Sequence, residues 1–331
     1  MPEIAEVERA RLRIHRQLLN HKIVHVETQP DALVFKDITP TIFSEKILDR
    51  TLVDTKRWGK YFILLFDKGP SMVAHFGMTG GIRFQHEEKP ENWPPKFWKL
   101  LITFQDPYDK EKTIQFAFKD PRRLARLRLV EGKDPLLEDP IKKLGFDPVL
   151  SLPPPDIFNR LVLRRAVPVK ALLLDQSFSA GVGNWVADEV LYQAKIHPAQ
   201  YTNTLTMDEL TALYEKLKFV CETAVKKEAD ESKFPEDWLM KYRWNKGKKT
   251  GQKLPNGVSL KFETVAGRTS AFAPSRQILR KSVLKKTIVK KSATQDISTE
   301  KIPTTKQDNR LKQKDEIPGL RRSSRSLSKK Q

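Results

Sequence analysis

Hydrophobic positions along this chain follow two rhythms. Residues 3–19 place Ile4, Val7, Ile14 and Leu18 on one face and leave Arg9, Arg11, Arg13 and Arg16 largely off it, the period of an amphipathic helix. The pattern then shortens. Apolar and alternating runs at Ile23–Glu27, Tyr61–Phe66, Ser71–Phe76, Lys99–Phe104, Thr113–Phe118 and Ala125–Val130 are punctuated by turn residues such as Asp67-Lys68-Gly69-Pro70. Short strands spaced by turns predict a β-sandwich or barrel. Helical periodicity returns over 156–231, at Ile157–Arg165, Val169–Asp175, Asn184–Ala194 and Met207–Lys227. Past an aromatic and basic stretch, Phe234–Lys253, the runs Val258–Thr264 and Thr269–Ala273 flank Ala266-Gly267-Arg268 as the strands of a hairpin.

Between these blocks, Gly132–Pro155 is rich in Pro, Asp and Gly and reads as a linker. From about Ile278 the chain is dominated by Lys, Arg, Ser and Thr, with few aromatics, and is expected to be disordered. The predicted fold class is multidomain α+β. A β-sandwich preceded by a helix fills 1–134, a linker 135–155, a helical domain 156–232, a hairpin region 233–277, and a basic tail 278–331.

Charge narrows the partners. The 331 residues carry a formal +20 and a pI near 9.8, which points to a polyanion, most often nucleic acid. The tail from Ile278 has 16 Lys/Arg against 5 Asp/Glu, leaving +9 on residues 1–277, so the folded part is basic in its own right. A lone cysteine, Cys221, excludes a disulfide within the chain and any multi-cysteine zinc site, and fits a reducing compartment. No apolar run approaches the roughly 20 residues of a membrane span. The acidic N-terminus is unlike a signal or transit peptide.

The most informative chemistry is Pro2-Glu3-Ile4-Ala5-Glu6-Val7. Removal of Met1 would leave a secondary amine beside two carboxylates. An α-amine has a reference pKa of about 8 against about 10.4 for lysine, hence far more of the neutral nucleophile near pH 7. Glu3 is then a candidate general acid. The same residues also suit a solvated helix start, where Pro and acids are favoured. Further along lie Arg57-Trp58-Gly59-Lys60-Tyr61, opening a strand, and His75-Phe76-Gly77-Met78-Thr79-Gly80-Gly81, a glycine-rich turn. Asp120-Pro121-Arg122-Arg123-Leu124 puts two arginines at a strand end. Lys170-Ala171-Leu172-Leu173-Leu174-Asp175-Gln176 followed by Ser179-Ala180-Gly181-Val182-Gly183-Asn184 reads as helix, glycine turn and second helix. That second helix start could receive a phosphate on its free N–H groups, with Asn184 as a cap.

In this order, the six segments resemble the formamidopyrimidine-DNA glycosylase / endonuclease VIII family of base-excision repair enzymes, from Pro2 to about Ala273. The resemblance implies a bifunctional glycosylase and abasic-site lyase acting on damaged double-stranded DNA. It implies Pro2 as nucleophile at C1′ and Glu3 as the proton donor to the opening deoxyribose, with Glu6 in support. Lys60, Lys170, Asn184 and Arg268 match positions that hold phosphates. Met78 and Arg123 match residues that fill the gap left by an everted base. Three departures stand out. Ala5 replaces a usual proline. Leu124 stands at or near the place of an aromatic wedge. Residues 233–277 contain neither Cys nor His, so the four-cysteine zinc finger of bacterial members is replaced by a zincless hairpin resembling plant and fungal members. No cofactor or metal, no membrane, a monomer and a nuclear location are the accompanying expectations. The competing reading is a non-catalytic DNA-damage or chromatin-binding protein, which would have no need of an N-terminal nucleophile.

Overall fold

The computed structural model describes residues 2–245 and 253–280. Helix α1 (Ile4–Leu18) opens the chain and is followed by strand β1 (Lys22–Thr28) and helix α2 (Pro40–Ile47). Seven strands come next: β2 (Leu52–Trp58), β3 (Tyr61–Phe66), β4 (Ser71–His75), β5 (Gly81–Phe84), β6 (Trp98–Gln105), β7 (Thr113–Lys119) and β8 (Arg126–Val130). With β1 they form two four-stranded sheets, ordered β1-β6-β7-β5 and β2-β3-β4-β8, antiparallel throughout. Their apolar faces meet in one core containing Phe62, Phe76, Phe84, Phe104, Phe116 and Phe118. The sandwich expected from the alternating runs is therefore present.

Three elements were not legible in those runs. Strand β2 carries Asp54, Lys56 and Arg57 among its apolar residues, and β5 spans only four residues, so neither shows a clear alternation. Helix α2 begins at a Thr39 cap whose hydroxyl accepts the Ile42 N–H.

Helices α3 (Pro155–Leu163), α4 (Val169–Leu174), α5 (Asn184–Gln193) and α6 (Met207–Lys226) build a second core, with Phe158, Leu172, Val190, Leu213 and Leu217. Helix α6 starts with a capping box in which Glu209 N–H donates to Thr206 Oγ1 (3.2 Å) and Thr206 N–H to Glu209 Oε2 (2.8 Å). Strands β9 (Lys261–Val265) and β10 (Arg268–Phe272) form the hairpin. Its two-residue turn has Ala266 at φ 52° and Gly267 at φ 69°, the paired left-handed conformation of a tight hairpin turn.

Helix α1 belongs to both cores. Ile4 and Ala5 pack with the helical core, while Val7, Ala10, Ile14 and Leu18 pack in the sandwich. The stretch 135–155 does more than link. Asp147 is completely buried and accepts bonds from Arg57 and from the Gly59, Val149 and Leu150 N–H groups. At the other end, residues 278–280 still dock on the helical domain, with Arg280 donating to Glu209 and Gln200. The remainder of the expected tail lies outside the described residues. No helix among the described residues is long and apolar enough to cross a membrane.

Candidate active site

The first turn of α1 sits on the start of α5, and glycines permit the approach. Ile4 N–H donates to the Gly181 carbonyl at 3.1 Å. A Cβ on Gly183 would lie 2.1 Å from Cδ of Glu3, and one on Gly181 3.0 Å from Ile4. Glu3 is thereby buried, 2% exposed, with its carboxyl facing the open end of α5. Its two oxygens accept the Trp185 N–H (3.1 Å) and the Val186 N–H (3.2 Å). The N–H groups expected to meet a phosphate thus hold a glutamate of the same chain. The cap of α5 is Gly183, and Asn184 is its first residue, not its cap.

Burial pushes the Glu3 carboxyl up to about 7. Lys60 pulls it down, Glu6 raises it further, and the two N–H groups lower it. The conflict between a helix terminus, which favours the anion, and a general acid, which must keep its proton, resolves in favour of the proton near neutrality. Glu6 acts as a brace. Its Oε2 accepts the Glu3 N–H at 2.9 Å, and its Oε1 accepts Trp185 Nε1 at 3.1 Å.

Lys60 lies in the turn between β2 and β3, immediately before β3 opens at Tyr61. Gly59 has φ +57°, and a Cβ there would meet Ala180 at 2.8 Å, so the turn presses on the α4–α5 connection. Asp147 fixes this turn from below through the Gly59 N–H (2.8 Å) and Arg57. The ammonium of Lys60 makes no hydrogen bond or ion pair with the described residues. Burial lowers its pKa, Glu3 opposes this, and Arg268 lowers it further, which places Lys60 within electrostatic reach of both the acid and the hairpin tip.

Pro2, Glu6, Arg9, Arg13, Met240 and Trp244 line an open cleft of about 360 Å³. Pro2 is half-buried at its edge, next to the buried Glu3. Neighbouring His75 escaped the sequence reasoning. Its Nδ1 accepts the Gly77 N–H at 3.0 Å, and burial, with Lys60 and Arg126 nearby, lowers its pKa to about 4. It is therefore neutral at pH 7, with its proton on Nε2. The clue available in sequence was its place two residues before a glycine turn.

The other predicted residues divide. Met78 is half-buried in the β4–β5 loop, and Asp120 ties that loop to the arginine loop. Its carboxylate accepts Thr79 Oγ1 (2.7 Å), the Leu124 N–H (2.6 Å) and the Ala125 N–H (2.7 Å). Arg123, at φ +56°, is held by the Asp31 carboxylate at 2.9 Å, whereas the side chain of Arg122 makes no polar contact with the described residues. Lys170 is completely buried, and its three donors are spent on Asp188 (2.6 Å), Ser270 Oγ (2.7 Å) and the Thr269 carbonyl (3.1 Å). It is a brace for the hairpin and is not open to a phosphate. Asn184 Nδ2 donates to the same carbonyl at 3.0 Å, while its buried Oδ1 has no partner among the described residues. Arg268 is exposed and follows the turn. Among the described residues no cluster of His, Cys, Asp or Glu could hold a metal ion.

The chain is also similar in sequence and fold to a family of DNA glycosylases. The family model of the formamidopyrimidine-DNA glycosylase N-terminal domain matches residues 1–127, and that of the formamidopyrimidine-DNA glycosylase H2TH domain matches 144–236. The chain is 36% identical to the formamidopyrimidine-DNA glycosylase of Arabidopsis thaliana over 84% of its own length and 71% of the relative's. It is 31% identical to that of Thermomicrobium roseum over 84% of its length and all of the relative's. The fold superposes on the Lactococcus lactis enzyme bound to abasic-site DNA with TM-score 0.69, 25% identity, and 83% and 99% of the two chains covered. A mutant of that enzyme with DNA containing a formamidopyrimidine lesion gives 0.71, 26%, and 84% and 100%. With two domain models matched in order and relatives covered over most of their length, the chain belongs to the formamidopyrimidine-DNA glycosylase / endonuclease VIII family of DNA repair glycosylases.

Proposed function

We propose that this protein is a bifunctional glycosylase and abasic-site lyase that binds damaged double-stranded DNA. The observation that carries the reading is the pairing at the cleft edge. Pro2 stands beside a buried Glu3 whose carboxyl keeps its proton to about pH 7. Once Met1 is removed, the Pro2 nitrogen attacks C1′ of the everted nucleotide while Glu3 delivers its proton to the deoxyribose ring oxygen. The C1′–O4′ bond breaks and the ring opens; the Pro2 nitrogen sheds its proton, its lone pair breaks the C1′–base bond to form the iminium, and the damaged base departs carrying that proton. The resulting iminium acidifies the C2′ proton; loss of that proton expels the 3′ phosphate, and a second elimination expels the 5′ phosphate. Lys60, neutral His75 through Nε2, Asn184 and Arg268 would receive the phosphates flanking the lesion. Met78 and Leu124 with Arg122, the unrestrained member of the arginine pair, would fill the gap left by the base. The basic tail would add nuclear import and general DNA affinity. Incubation with abasic-site DNA and borohydride tests the reading: a covalent adduct at the N-terminus supports it, and trapping through a lysine instead of Pro2 refutes it.

A further inference from the structure

We infer that Asp188 is a positioning residue that docks the Arg268 hairpin onto the helical domain, an ion-pair clamp in the place where a metal could have done the work. The inference rests on the reading of Arg268 as a DNA contact. Strands β9 and β10 form an isolated two-stranded sheet. Such a hairpin is at best marginally stable alone, so something outside it must hold it.

Asp188, on α5, is 1% exposed and saturated with donors. Its Oδ1 accepts Lys170 Nζ at 2.6 Å. Its Oδ2 accepts Arg243 Nη2 at 2.9 Å and the Ala271 N–H of β10 at 3.1 Å. Lys170 passes the constraint on, donating to Ser270 Oγ and the Thr269 carbonyl of the same strand. Three consecutive residues of β10, Thr269, Ser270 and Ala271, are therefore gripped by one buried carboxylate and its counter-ion, directly after Arg268. Arg243, the second cation, stacks on Trp244 at 4.4 Å.

A buried ion cluster contributes little net stability against an apolar replacement, and its better-attested use is to specify one geometry. Here that geometry is the placement of Arg268 near Lys60. Loss of the carboxylate would leave Lys170 and Arg243 unmatched in the interior and release the strand, while Pro2, Glu3 and Glu6 keep their own contacts.

The test is a double-mutant cycle between Asp188→Asn and Arg268→Ala in the full-length protein, read by fluorescence anisotropy on a short duplex carrying a tetrahydrofuran site. Asp188→Asn should weaken binding about tenfold, and Arg268→Ala by a comparable factor. The double variant should be no weaker than Arg268→Ala alone, because the aspartate acts only through the hairpin. Equal losses with and without Arg268, or no loss at all, would overturn the inference. Should Asp188→Asn fail to fold, Ser270→Ala carries the same cycle. It removes one Lys170 contact and leaves both ion pairs, with an expected loss of about threefold. Additivity there has the same adverse meaning. If wild-type protein does not prefer the tetrahydrofuran duplex over undamaged DNA, the proposed function fails, irrespective of Asp188.

Discussion

Two clusters of buried charge touch helix α5, and they are built on opposite plans. In the Asp188 cluster the donors and acceptors are matched: three donors of Lys170 find three acceptors, and both oxygens of the aspartate are engaged. In the Glu3 cluster the matching is deliberately incomplete. Lys60 has no partner among the described residues, and the Glu3 carboxyl is driven up to about 7 by burial. A desolvated group with its partners in place holds a shape. A desolvated carboxyl that meets N–H groups but is in contact with no cation, as Glu3 is, holds or gives up its proton near neutral pH, which acid–base chemistry requires. The same helix thus supplies rigidity at one site and reactivity at the other.

The largest expected effects fall on the reactive cluster. Pro2→Gly should sharply reduce the borohydride-trapped adduct, and Glu3→Gln should bind lesion DNA yet lose excision by about 10²–10⁴-fold, the usual contribution of a general acid. Normal excision by Glu3→Gln, measured by single-turnover cleavage, would remove Glu3 from its role. Gly183→Ala should come next. The added Cβ has no room beside Glu3, so excision should fall about tenfold or more through misplacement of the acid. The fold should lose only about 1–3 kcal/mol, as for other overpacked sites. A variant with normal kinetics would show that the Glu3 contact with α5 is dispensable.

Arg268→Ala, at the edge of the matched cluster, should weaken lesion-DNA binding by about 1–3 kcal/mol if it contacts a phosphate. An unchanged Kd would mean that the hairpin tip does not touch DNA.

The pH dependence sharpens the contrast further. The folded-state pKa of Glu3 is raised from 4.5 to about 7, so between these values the native state binds more protons than the unfolded one. This group's contribution to stability is then greatest below 4.5 and is lost as the pH rises through 7. The difference in Tm between Glu3→Gln and wild type should therefore grow in favour of the variant from pH 4.5 to 7, whatever its offset, and excision by wild type should peak between about 7, the pKa of Glu3, and about 8, the reference pKa of the attacking α-amine, and fall on either side. A constant difference would place the Glu3 pKa in its ordinary range. The smallest effect is expected from zinc chelation, which should leave Tm and activity unchanged, since residues 233–277 contain neither thiol nor imidazole. Stoichiometric zinc lost together with activity would refute a hairpin held by ions and packing.

Much of this molecule was determined locally. The apolar period of residues 4–18, the alternating runs of the sandwich, the capped helix at Thr206 and the glycine turn at Gly267 each follow from neighbours in sequence, because helix periods, strand alternation and turn chemistry are short-range physics. The nucleophile and its acid were legible for the same reason, being adjacent. Tertiary structure decided what each charge does. Lys170 and Lys60 look alike in sequence, yet one is spent on Asp188 and the other left without a partner among the described residues. Arg123 is held by Asp31, 92 residues away, while Arg122 is not. The α5 N-terminus is filled by Glu3 from the other end of the chain. A side chain's role as brace, acid or ligand depends on burial and on partners distant in sequence. Both are properties of the assembled fold, to which local pattern carries no signal.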